Sequence, residues 1–197
     1  MATKPSASKR LKKLAGEIPA DNIIHTQLGK LEHLDGGGDY ALALIGATFV
    51  ERALEVAILS RLTPMDNEDR ARLFDFDHHG PLCDLASRIR MARAMGIYGP
   101  HTFGDLTRVR EIRNAFAHAL WHITFATAEV AEMCDFYASR RVTSGKATIA
   151  GGIVPGANQR TRYMHAVRFI ASALKATIQA EGVVPRFQIP TPDYRLP

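Results

Sequence analysis

Apolar residues recur along this chain at steps of three and four, the spacing that puts them on one side of a helix. The cleanest case is Asp105 to Leu120, DLTRVREIRNAFAHAL, where Leu106, Val109, Ile112, Phe116 and Leu120 form one stripe. Asp39 is a good N-cap for a longer helix to about Leu62, which Thr63-Pro64 ends. That helix is apolar nearly all round, with Leu42, Ile45, Phe49, Val56 and Leu59 on one side and Leu44, Leu54 and Ile58 on another. Its place is therefore the centre of a bundle. A shorter helix is predicted from the acidic stretch after Pro64 through Phe74, and another over Leu82–Met95, opened by Gly80-Pro81 and stopped by Gly96.

Two further helices complete the prediction. Thr127 caps one through Tyr137, and Gln159 to Glu181 carries Tyr163, Val167, Ile170, Leu174 and Ile178 as a stripe that requires a partner helix. Residues 21–35 suit a short helix broken by Gly36-Gly37-Gly38, and Trp121 to Phe125 reads as an extended or turning segment closing over the core. Residues 140–156 look like a short hairpin or a mobile loop. No other stretch shows strand-like alternation. The fold class expected is all-α, a bundle of about six to seven helices. The divisions read from the chain are a flexible basic arm over 1–20, a helical core domain over 21–139, a loop plus long helix over 140–182, and a Pro-rich tail over 183–197.

Charge sharpens this division. The chain of 197 residues carries a formal net charge of +5, spread unevenly. Residues 1–20 hold five basic residues against one acidic, 21–139 hold eleven against seventeen, and 140–197 hold nine against two. Basic ends on an acidic centre suit contact with RNA or another polyanion, or with the acidic part of a second copy. Lys9, Arg10, Lys12 and Lys13 in the arm are the candidate nucleic-acid contacts. Two cysteines, Cys83 and Cys134, without CxxC spacing, fit a reduced cytoplasmic protein. The first thirty residues lack an apolar core, so no signal peptide is expected; Glu51, Arg52 and Glu55 interrupt the longest apolar run, so no membrane span is expected either.

The candidate chemistry sits in the Asp105–Leu120 helix. Asn114 and His118 are one turn apart and share a face, and Arg113 points to the adjoining sector. A guanidinium fork, an amide and a group titrating near neutrality thus project from one rod. They form either a ligand-binding or catalytic edge or a polar strut inside the core. In the second case Arg113 would pair with Glu51 or Glu55 of the long helix, two carboxylates that require partners if the helix is central. His78-His79 beside Asp75 and Asp77 is weak as a metal site, and no metal or cofactor is expected.

Gly80-Pro81-Leu82, Asp84-Leu85, Arg88 and Gly96-Ile97, with the preceding long helix and its Glu51, resemble the mannitol-operon repressor family over roughly residues 40–125. Arg113-Asn114-Ala115-Phe116-Ala117-His118 is similar to the hallmark of HEPN domains, the broader helical superfamily to which those repressor-like proteins look related. The resemblance implies a HEPN-like bundle acting as a homodimeric regulatory or interaction protein with a protein partner. It also implies an alternative, a metal-independent endoribonuclease of toxin or defence type, using Arg113, Asn114 and His118 across a dimer interface. In that alternative His118 serves as acid and base, Arg113 holds the phosphate oxygens, and Asn114 orients the imidazole or the phosphate. A DNA-reading helix-turn-helix is not expected, because the two candidate helices are joined by too many residues without a tight turn.

Overall fold

The computed structural model describes residues 38–137 and 157–180; among them are six α-helices and no strand. The helices are α1 (Gly38–Leu59), α2 (Asn67–Phe74), α3 (Leu85–Ala94), α4 (Pro100–His118), α5 (Ala128–Met133) and α6 (Gln159–Ala180), with a 3-10 turn at Phe76–His78 after α2. The all-α expectation holds. The basic arm with Lys9, Arg10, Lys12 and Lys13, the helix expected over 21–35, residues 140–156 and the tail lie outside the described residues.

α1 is the central rod. It buries Leu42, Ala43, Ala47, Val50, Leu54, Ala57 and Ile58 and packs against α3, α4 and α6. The expectation that it is wrapped on every side is corrected at Tyr40 and Ile45, which are exposed. α6 lays Tyr163, Met164, Val167, Ile170 and Leu174 against this core, so the stripe that required a partner finds α1. The Tyr163 hydroxyl donates to the Ala43 carbonyl at 2.8 Å, satisfying a polar atom that complete burial would otherwise orphan. Phe125 closes the end of this layer, with ring centroids 5.1 Å from Phe116 and 5.0 Å from Tyr163.

The segment from α2 to α3 has strict local causes. Asp66 caps α2 by accepting from the Asp69 amide, and Asp84 caps α3 by accepting from Ser87. α3 therefore begins at Leu85, not at Leu82 as the Gly-Pro signal suggested. Residues 80–84 instead form a turn pressed on the end of α2, where the Leu82 amide donates to the Leu73 carbonyl at 2.9 Å. Gly80 is required there: a Cβ would lie 2.5 Å from the Leu73 carbonyl oxygen. At the other end, Gly96 has φ +69 and ends α3 as expected.

Beneath that turn lies an ion pair. Glu55 is 2% exposed and Arg88 5%. Arg88 Nη1 donates to Glu55 at 3.0 Å, Nε to the Leu82 carbonyl at 2.7 Å and Nη2 to the Phe74 carbonyl at 3.1 Å. Glu55 also accepts from Arg70 at 2.6 Å and Arg52 at 3.1 Å. Each nitrogen of the buried guanidinium thus donates a hydrogen bond and its charge meets a carboxylate, the condition under which burial of charge is tolerated. One side chain of α3 ties together α1, the end of α2 and the turn.

Gly80→Ala is expected to lower the melting temperature by roughly 5 °C or more, since the conflict is with backbone and costs about 1–3 kcal/mol. Thermal unfolding followed by circular dichroism measures it; an unchanged midpoint would mean that the turn shifts freely.

Candidate functional site

α4 starts at Pro100, earlier than the expected Asp105, because Gly99-Pro100 supplies the helix opening. Asp105 is consequently inside the helix and buried, where it accepts from the Tyr137 amide at 2.8 Å. Arg108, one turn on, donates to the Asp135 carbonyl at 2.7 Å. The first half of α4 is thereby fixed to the segment after α5, which ends at Met133 where a helix to Tyr137 was expected.

The second half carries the candidate residues. Leu106, Val109, Ile112 and Phe116 are buried as expected. Leu120 is not. The helix ends at His118, Ala119 turns extended, and Leu120 is 93% exposed. Trp121 is 78% exposed and does not close over the core; Phe125 does, with its amide donating to Asp39 at 3.0 Å. That bond brings the start of α1 beside the segment leaving α4.

Arg113 and His118 are exposed, and Asn114 is half-buried. Arg113 Nη1 donates to Asn114 Oδ1 at 3.2 Å, while among the described residues His118 makes no hydrogen bond to either. The strut arrangement is thus not what the fold builds. The carboxylates that were to receive Arg113 are served mainly by others: Glu55 by Arg52, Arg70 and Arg88, and Glu51 by Arg88 Nη1 at 3.6 Å. Arg88, read from the sequence as one of three arginines spread around its helix, is the buried partner. The signal was its position three residues after Leu85 and four before Ala92, on the apolar face of the helix.

Glu51 differs from Glu55. It is half-buried, and removal from water pushes its carboxyl above the ordinary range despite the nearby charges of Arg88, Arg52 and Arg113. Cys134 is buried, its thiol pushed up to about 12 by removal from water, so it is not a ready nucleophile. His78 and His79 are exposed, and among the described residues no group of three or more His, Cys, Asp or Glu side chains converges as a metal-binding set. No described helix is long and apolar enough to cross a membrane.

What the site can do chemically follows from this exposure. One helix end offers a guanidinium, an amide and an imidazole to the outside, followed at once by two large apolar side chains. No family model and no curated protein matches the chain. Among solved structures, it is similar to a chain of the X-ray structure of the MtlR–HPr complex from Escherichia coli, at 17% identity and a TM-score of 0.50, covering 83% of this chain and 100% of that one. At that identity the likeness establishes the fold.

The raised Glu51 carboxyl fixes the sign of one pH effect. The folded chain binds this proton more readily than the unfolded one, so stability from this group is fully present below pH 4.5 and is lost as pH rises through the raised value. Glu51→Gln should therefore gain stability over the parent at pH 7 and lose that advantage below pH 4.5. Urea midpoints at the two pH values measure it; an equal offset at both would refute the linkage.

Proposed function

We propose that this chain is a regulatory interaction protein of the mannitol-operon-repressor type, which binds a protein partner at the C-terminal end of α4. The observation that carries the reading is the bare Leu120-Trp121 pair, placed directly after an ordered helix whose last turn also exposes His118. A folded chain gains nothing from two large apolar side chains in water, whereas aromatic and aliphatic anchors ringed by polar groups are what protein interfaces use. The Gly80–Arg88 block, which resembles those repressors, and the likeness to a chain of the MtlR–HPr complex support the reading and make HPr the first partner to test. Homodimer formation belongs to the same proposal.

The second reading is the metal-independent endoribonuclease. It is favoured by one observation, that Arg113 and His118 stand exposed at one helix end and are not spent on the core. Two copies would have to bring their His118 imidazoles to one ribose phosphate, one taking the 2′-OH proton and the other giving a proton to the leaving 5′-oxygen. Arg113 would hold the non-bridging oxygens as charge grows on them.

Calorimetric titration of purified HPr into the chain should show saturable binding, weakened about 30-fold or more in Trp121→Ala and Leu120→Ala, as for interface anchors. No heat, or equal affinity in both variants, would remove the docking proposal. In parallel, a mixed RNA pool incubated in EDTA should stay intact. Cleavage lost on His118→Ala and Arg113→Ala would instead establish the ribonuclease.

A further inference from the structure

Asp39, expected to cap α1, lies inside its first turn, and its carboxylate serves two other parts of the chain. Oδ2 accepts from the Phe125 amide at 3.0 Å, and Oδ1 pairs with the Arg160 guanidinium of α6, whose Nε lies 2.9 Å away. The side chains of this pair are only 22% and 23% exposed, so the contact is partly shielded from water and salt. One carboxylate thus joins the start of α1, the start of α6 and the segment leaving α4.

That segment is a short bridge fixed at both ends. At its near end the Ala119 amide donates to the Ala115 carbonyl at 3.0 Å, closing α4. At its far end Phe125 is buried, and the turn around it is closed by the Thr124 amide, which donates to Thr127 Oγ1 at 3.0 Å. The exposed Leu120 and Trp121 stand between these points, and Ile123 rests partly against the core. Burial of the Phe125 ring is non-directional: it keeps the bridge near the core without setting how its backbone is turned. The amide bond to Asp39 does set it, because a hydrogen bond weakens steeply away from linear. Without that acceptor the partly buried amide is orphaned, a cost that the bridge relieves by swinging out to water.

We propose that Asp39 is a positioning residue of the docking surface: accepting from Phe125 while held by Arg160, it fixes the far end of the bridge and with it the direction in which Leu120 and Trp121 face a partner. A bridge fixed in this way has little freedom left to lose on binding. Arg160 in turn holds the carboxylate, so that rotation of the Asp39 side chain does not release the amide. The docking role of Leu120 and Trp121 rests on the preceding proposal; the placement of the bridge by Asp39 does not.

Trp121 is the chain's one tryptophan, so its fluorescence reads the bridge directly. In the full chain, Asp39→Ala should enlarge the fast component of the Trp121 anisotropy decay by about 2-fold or more. Asp39→Asn, which keeps an oxygen for the Phe125 amide, should bring it back near the parent. Gly80→Ala, which disturbs the turn before α3, should leave the decay unchanged. An unchanged decay in Asp39→Ala, no recovery in Asp39→Asn, or equal loosening in Gly80→Ala would overturn the proposal. If Asp39→Ala does not fold, hydrogen exchange in the parent decides: the Phe125 amide should exchange about 100-fold or more slowly than the Trp121 amide, and equal rates would overturn the clamp. The HPr titration of the preceding section then reads the functional consequence. If the parent binds, Asp39→Ala should weaken affinity by about 10-fold, most of it regained in Asp39→Asn; unchanged affinity would overturn the positioning role. If the parent shows no binding while Trp121 behaves as expected, the docking reading fails and the placement of the bridge stands.

Discussion

The Arg88–Glu55 pair is the contact on which the rest of this bundle depends. α2 is short and mostly polar and has only Phe74 fully in the core, so apolar burial alone holds it weakly. Arg88 converts that weak element into a fixed one by donating to the carbonyls of Phe74 and Leu82 while its charge is met by Glu55 from the central rod. The arginine also lies over the Phe74 ring, 5.4 Å from its centroid, where the cation and the ring face attract. Such a network is no cheap source of stability, because both ions leave water. What it supplies is geometry: three segments meet at one guanidinium in one way.

That geometry explains why the surface of α4 is free. With the buried arginine provided by α3, neither Arg113 nor His118 is needed inside, and the apolar stripe of Leu106, Val109, Ile112 and Phe116 suffices to seat α4 on α1. The polar residues then lie on the outer sectors of a helix whose first half is fixed through Asp105 and Arg108. A recognition surface benefits from such rigid backing, since little ordering entropy remains to be lost on binding. The exposed Leu120 and Trp121 follow directly after it.

Much of this was legible in the sequence. Helices with a stripe at three-four spacing were placed correctly, and the punctuation at Gly96 fell where a positive φ was required. Ends were less legible. Nothing in the Ala-His-Ala-Leu-Trp stretch marks the stop at His118, so Leu120 continued the stripe on paper while the chain had already left the helix. Asp84 and Asp105 show the same limit from opposite sides: one is a cap and the other a buried acceptor, and only tertiary placement tells them apart. The site residues Arg113, Asn114 and His118 were identifiable as a set, but their exposure depended on which arginine answered Glu55, a choice made between helices far apart in the chain.

The most direct test is a double-mutant cycle at that pair. Glu55→Met should cost about 3–5 kcal/mol by leaving the buried Arg88 charge without its close carboxylate. Arg88→Met should cost less, because Arg52 and Arg70 still answer Glu55, and the double variant should lose less than the two single losses combined. Additive losses, or single variants as stable as the parent, would contradict the claim that this ion pair anchors the bundle.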